Sequence, residues 1–251
     1  MHAPTLCAEV RHGWTSASRG NYFDLVNSDL RFQPPQAAII DLDGTLVDTL
    51  GDFHAALNIM LRGLAQSEVD AGTVAGFIGK GSEHLIRETL SHVGAPPELY
   101  GAAWDRYQDA YRGLNGRWAA VYPGVEEGLA GLRAAGVRLA CLTNKPGEFA
   151  RDLLAAKGLD TCFELVFGGD AFERKKPDPL PLMRTCEALG TDPAHTLMVG
   201  DSRNDAAAAR AAGCPVVLVT YGYNHGEPVQ GVDADAYVDS LAEVPALWAR
   251  R

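Results

Sequence analysis

The sequence predicts an α/β protein in which a mostly parallel, doubly wound sheet carries a block of helices inserted after its first strand. Three observations support that prediction. From Val121 onward, short apolar runs alternate with helical segments, the pattern of a parallel sheet covered on both faces. Four of those helical segments end at a glycine, the usual stop just past a last helical residue. Residues 50–120, in contrast, show helical spacing and no convincing strand.

In chain order, residues 1–36 have weak periodicity and the break Pro34-Pro35, and read as a poorly ordered leader. They lack the apolar stretch of about 7–15 residues that a secretory signal needs. Residues 37–40, an apolar run with two isoleucines, read as a buried strand. Leu50, Phe53, Ala56, Leu57, Met60, Leu61 and Leu64 then recur at helical spacing, followed by helical segments at about 82–92 and 97–114. In the last of these Tyr100, Trp104, Tyr107 and Tyr111 share one face, which reads as a packing stripe. Further strands are expected at 137–142, 165–167, 197–199, 216–220 and 236–238. Helices are expected at 125–135, 147–157, 180–189 and 204–212, stopped by Gly136, Gly158, Gly190 and Gly213. The α/β core is thus placed at 37–50 and 120–251, and the helical insertion at 51–119.

Composition narrows the partners. With 47% hydrophobic and 22% charged residues, the chain of 251 can bury a sizeable core. A net charge of −10 argues against a broad nucleic-acid or anionic-membrane surface, yet leaves room for a small anionic substrate met by local cations. No stretch reaches the ~18 apolar residues of a membrane span. Five cysteines without close spacing favour reduced thiols and a cytoplasmic location. No oligomeric state follows from any of this.

Ligands of such sheets bind at the carboxyl ends of strands, so the residues that follow each strand should carry the chemistry. Asp41 and Asp43 end the first strand, and alternate residues of an extended chain point the same way about 6–7 Å apart. One such acid can attack a small electrophile while the other handles the proton. Gly44 permits a tight turn beside a ligand, and Thr45 and Asp48 suit a helix start. A calcium loop counted from Asp41 matches in part, but has Leu46 where the sharp turn needs glycine. After the strand at 137–142 come Thr143, Asn144 and Lys145, a hydroxyl and an amide able to donate to phosphate oxygens among them. Arg174-Lys175-Lys176 precedes Pro177, with Lys176 preferred to Lys175; Gly200-Asp201-Ser202-Arg203-Asn204-Asp205 follows the strand at 197–199. Singly, Thr143 and Ser202 could be helix caps, Asp201 and Asp205 helix-start acids and Lys176 a surface charge. Together they meet the needs of phosphoryl transfer, a nucleophile in line with positive charge around the equatorial oxygens. Mg²⁺ can sit on Asp41, the carbonyl of Asp43 and Asp201, with Asp205 holding a bound water. The metal and Lys176 would relieve the repulsion between Asp41 and a phosphate dianion.

The motifs DLDGT at 41–45, LTN at 142–144, KP at 176–177 and GDSRND at 200–205 closely resemble those of the haloacid dehalogenase superfamily of phosphohydrolases. The resemblance spans about residues 37–245. It implies a Rossmann-like doubly wound parallel sheet core with an inserted α-helical cap that closes over bound substrate. It also implies that Asp41 is phosphorylated, that Asp43 protonates the leaving alkoxide and then activates water, and that Thr143 and Lys176 steady the phosphoryl group. Gly44 and Asn144 would complete that phosphate pocket, and Mg²⁺ would sit on Asp41, Asp43 and Asp201. An acid at position 43 sets the chain apart from dehalogenase and phosphonatase members. The stretch FIGKGS at 77–82, GGD at 168–170, TNKP at 143–146 and YGYNHG at 221–226 is similar to bacterial phosphoglycolate phosphatases. That finer resemblance implies 2-phosphoglycolate as substrate, with Lys80 or Arg87 receiving its carboxylate. A broader sugar-phosphate or nucleotide phosphatase, a phosphomutase and a non-catalytic binding member are the alternatives; all four core acid and lysine positions being present disfavours the last.

Overall fold

The computed structural model describes residues 34–249, so residues 1–33 of the expected leader lie outside the described residues. β1 (Ala37–Ile40) enters the core directly and is followed by a two-residue strand, β2 (Val47–Asp48). Then come α1 (Leu50–Gly63), α2 (Ala71–Ala75), α3 (Ser82–His92) and α4 (Tyr100–Leu114), and the chain returns through β3 (Ala120–Val121). The remainder alternates: α5 (Val125–Ala134), β4 (Arg138–Leu142), α6 (Gly147–Ala156), β5 (Leu165–Phe167), α7 (Leu180–Leu189), β6 (Thr196–Gly200), α8 (Arg203–Ala212), β7 (Val216–Val219), β8 (Ala236–Val238) and α9 (Ala246–Ala249).

Six strands form one parallel sheet in the order β5-β4-β1-β6-β7-β8. β1 is central, with Ile40 opposite Cys141 of β4 on one side and Val199 of β6 on the other. All four of its residues are fully buried, and they alternate between two cores because successive side chains of a strand point to opposite faces. Ala38 and Ile40 join Leu129 and Leu132 of α5 and Leu153 and Leu154 of α6. Ala37 and Ile39 join Leu182 and Leu189 of α7 and Ala206 and Ala209 of α8. The order also makes β1 the point where the winding reverses, so the carboxyl ends of β1, β4 and β6 lie side by side.

The helices between β2 and β3 have their own apolar core. Phe53, Leu57, Met60 and Leu61 of α1 pack with Val74, Ile86, Tyr107 and Tyr111, and Phe149 of α6 reaches into the same cluster. Asp52, in the first turn of α1, is fully buried and ties this segment's beginning to its end. Its carboxylate accepts the Gly116 N–H at 2.6 Å and the Trp118 N–H at 2.7 Å.

The sequence missed three elements here. β2 and β3 pair antiparallel where the chain leaves and re-enters the sheet, and α2 is capped by Asp70, which accepts the Thr73 N–H. Two-residue strands and a five-residue helix are too short to show a period. The aromatic stripe of α4 needs a correction as well. Tyr107 and Tyr111 do stack, with ring centres 5.5 Å apart, but Tyr111 also lines the cavity described next.

Candidate active site

Asp41 continues the line of β1, its N–H donating to the Val199 carbonyl. The chain then turns tightly, with the Leu42 carbonyl accepting from the N–H groups of Thr45, Leu46 and Val47. Gly44 makes this turn with φ +84°, and a Cβ there would collide with Asp201 Oδ2 and the Tyr223 ring. Asp201 follows β6, accepting the Tyr223 N–H at 2.7 Å and the Thr45 hydroxyl at 3.3 Å. Asp205 opens α8; its Oδ2 accepts the Ser202 hydroxyl at 2.7 Å and the backbone N–H groups of Asp201 and Ser202. Carboxylate oxygens of Asp41, Asp201 and Asp205 lie within 4.8 Å of one another, and all three residues are buried.

One cation balances these three acids. Lys176 Nζ lies 2.7 Å from Asp205 Oδ1, 3.0 Å from Asp41 Oδ1 and 2.8 Å from the Leu142 carbonyl. Lys175, the alternative in the sequence, is exposed, whereas Lys176 is buried. Burial alone would depress the Lys176 ammonium, but the Asp205 and Asp41 carboxylates raise it above its usual value and keep it charged. Burial lifts the Asp41 carboxyl to about 7, with Asp205 and Asp43 adding to the rise and Lys176 and the Leu42 N–H opposing it. The Asp201 carboxyl is pushed well above its ordinary range by burial, then by Asp205 and Asp41. The cluster is therefore short of positive charge, as a cation site should be.

After β4, Thr143 accepts the Lys145 N–H through its hydroxyl oxygen, which leaves the hydroxyl hydrogen to donate. Asn144 is placed differently from the expectation that its amide meets phosphate. Its Nδ2 donates to the carbonyls of Gly79 and Lys176, and its Oδ1 accepts the Lys176 N–H, so the side chain fastens two loops. The Asp43 carboxylate stands apart from the three-acid cluster; its Oδ1 accepts from Lys145 Nζ at 2.8 Å and from the Thr49 hydroxyl at 2.8 Å. A narrow, partly open cavity of about 20 Å³ adjoins Asp41, Asp43, Thr143 and Asn144, with Phe53 and Tyr111 also lining it. Lys80 and Arg87 are not brought to it: both are exposed and line the outer cleft with Glu83, Arg174 and Lys175. Sequence reading also missed Lys145 as a site residue. Its signal was its place in TNKP at 143–146, a run quoted for the finer resemblance without a role given to its lysine.

Among the described residues no helix is long and apolar enough to cross a membrane. The profile of the family described as haloacid dehalogenase-like hydrolase matches residues 38–219. A phosphoglycolate phosphatase of Cupriavidus necator is 47% identical over 215 residues, covering 85% of this chain and 93% of that protein. One from Nitrosospira multiformis is 46% identical, covering 85% of this chain and 96% of its own. A crystal structure from Haemophilus somnus, described as a predicted phosphoglycolate phosphatase, superimposes with a TM-score of 0.83 at 31% identity, covering 86% and 99% of the two chains. With the acids that end β1 and β6 gathered around one buried lysine, and with most of its length matched, the chain belongs to the haloacid dehalogenase-like hydrolases.

Proposed function

We propose that the protein is a Mg²⁺-dependent phosphomonoester hydrolase that acts through a phosphorylated Asp41, with 2-phosphoglycolate as its substrate. The observation that carries this reading is the buried group of Asp41, Asp201 and Asp205 around Lys176, at the carboxyl ends of adjacent strands. Three convergent carboxylates with no nitrogen or sulfur donor among them fit a hard divalent cation such as Mg²⁺. Asp41 and Asp201 would hold it, with the Asp43 carbonyl as a further ligand and Asp205 through water. When bound, Mg²⁺ supplies the positive charge that lets an anionic nucleophile approach an anionic phosphoryl group.

The chain's own groups account for the rest. Asp41 attacks phosphorus through its carboxylate, and Lys176 keeps that carboxylate oriented from 3.0 Å away. The Thr143 hydroxyl donates to the phosphoryl oxygens, and the charge of Lys176, whose hydrogens go to Asp41, Asp205 and the Leu142 carbonyl, steadies them as charge redistributes. Asp43, beside the cavity, gives its proton to the leaving oxygen and then takes one from the water that cleaves the acyl phosphate. The helices at 51–119 act as a cap. A cavity of about 20 Å³ holds little more than one water, so the cap must open to admit a phosphomonoester. The names of the relatives support phosphoglycolate. A cytoplasmic setting belongs to the same reading, since Cys141, Cys162, Cys186 and Cys214 are free thiols.

A broader sugar-phosphate range has one observation in its favour: the outer cleft carries Lys80, Arg87, Arg174 and Lys175, and a longer substrate would extend there. Measuring kcat/KM across phosphomonoesters, including 2-phosphoglycolate, hexose phosphates and nucleoside monophosphates, separates the two. The highest value on 2-phosphoglycolate, abolished in Asp41→Asn, is the expected result; a preference for hexose phosphates would replace this substrate assignment.

A further inference from the structure

The cavity beside Asp41 and Asp43 has a cation that holding and transferring the phosphoryl group leaves unused. Among the described residues Lys145 is the sole lysine or arginine on its wall. Lys145 follows β4 on the sheet side yet is 4% exposed, because the inserted helices fold over it. Its Nζ stands 4.4 Å from the Phe53 ring centre and 4.9 Å from that of Tyr111, within reach of both rings' negative faces. An ammonium has three hydrogens to donate. One goes to Asp43 Oδ1, and beyond the two ring faces the others have no oxygen or nitrogen acceptor among the described residues.

A second donor nearby is also unspent. The Tyr111 hydroxyl is buried with no hydrogen-bond partner among the described residues. Burial holds its pKa well above the ordinary phenol value, so it stays a neutral donor. Unsatisfied buried donors are costly, and a site that keeps them is matched to an acceptor it does not yet hold. The acceptor must reach Lys145 in the cavity that Asp43 also lines, beside the leaving oxygen. A hydroxyl or carbonyl could take one of these hydrogens; a carboxylate, with two oxygens and a full charge, can take all of them.

We propose that Lys145 sets substrate choice: its ammonium receives a carboxylate borne on the carbon next to the leaving oxygen, with the Tyr111 hydroxyl as second donor. This rests on the phosphatase reading and assigns the residues that recognise the carboxylate of a phosphorylated 2-hydroxy acid such as 2-phosphoglycolate. Away from bulk water the contact is far stronger than one made by the exposed Lys80 or Arg87. Because Phe53 and Tyr111 belong to the insertion and Lys145 to the core, the carboxylate also bridges the two parts and favours the closed arrangement.

The test is equilibrium binding to the Mg²⁺-loaded protein by calorimetry, using two non-hydrolysable ligands, 3-phosphonopropionate and propylphosphonate. They share a phosphonate head and chain length and differ in the carboxylate, and neither needs proton transfer from Asp43. Wild type should bind the carboxylate ligand about 100-fold tighter, the scale on which a desolvated charge contact acts. Lys145→Met, which keeps the volume, should bind the two alike, and Lys145→Arg should recover part of the preference. If Lys145 merely positions Asp43, the preference survives in Lys145→Met and the proposal fails. A wild type without the preference overturns it whether or not the variants fold. A wild type that hydrolyses 2-phosphoglycolate but binds the two ligands alike overturns this inference alone, whereas one that hydrolyses no phosphomonoester overturns the phosphatase reading as well.

Discussion

Lys176→Met removes the one cation that the structure places among the three carboxylates and keeps nearly the same volume. Three polar contacts disappear, at 2.7 Å to Asp205, 3.0 Å to Asp41 and 2.8 Å to the Leu142 carbonyl. Stripping one partner from a buried ion pair costs about 3–5 kcal/mol, because the remaining charge stays desolvated. For a domain of this size that lowers Tm by roughly 6–20 °C. The loss should also depend on pH with a definite sign. Asp41 is raised from 3.8 to about 7 in the folded protein, so folding takes up its proton more tightly than the unfolded chain does. Such a group favours the fold at low pH and penalises it increasingly as pH rises from 3.8 through about 7. Removing Lys176 takes away a contribution that opposes this rise, so the defect should be large at pH 8 and smaller at pH 5.5, where the carboxyls can take up protons. Thermal unfolding in EDTA at both pH values reads the effect. A loss below about 1 kcal/mol at pH 8, the range of an exposed pair, would refute the reasoning, and so would a loss that does not vary with pH.

Two further predictions follow from the same geometry. Asp201→Asn relieves repulsion in the metal-free cluster while its side-chain oxygen can still accept the Tyr223 N–H. Its Tm in EDTA should therefore equal or exceed that of wild type, and the rise that Mg²⁺ gives wild type should vanish; a wild-type rise in the variant would remove Asp201 from the metal site. Asp52→Ala leaves the buried acceptor positions for Gly116 and Trp118 empty, and should cost about 2–4 kcal/mol in urea unfolding. A cost near zero would show that the ends of the insertion are held by something else.

Much of the site could be read in the sequence because each core strand is a single apolar run that stops at a polar cluster. In a parallel sheet those stops share one edge, so Asp41, Thr143 and Asp201 could be placed together from order alone. Lys176 stood out over Lys175 in the KP motif at 176–177, and the structure separates them by burial, one inside the acid cluster and the other exposed. What stayed hidden depends on contacts across the insertion. Lys145 sits in a short polar stretch like any surface lysine, and only the helices packed above make it a buried cation. Tyr111 has the spacing of a core residue and is one, and the sequence carries no sign that its hydroxyl ends without a partner. Lys80 came from the resemblance of FIGKGS at 77–82, but Gly79 and Gly81, both at positive φ, carry it along an exposed loop.

The account depends most on a covalent bond between phosphorus and the Asp41 carboxylate. Acid quenching during turnover of 2-phosphoglycolate, followed by mass spectrometry of the digested protein, tests this directly. The mass of one phosphoryl group should appear on the peptide containing Asp41, be removed by hydroxylamine as an acyl phosphate is, and be absent from Asp41→Asn. Full turnover with no such adduct on wild type, or an adduct on another residue, would contradict the account.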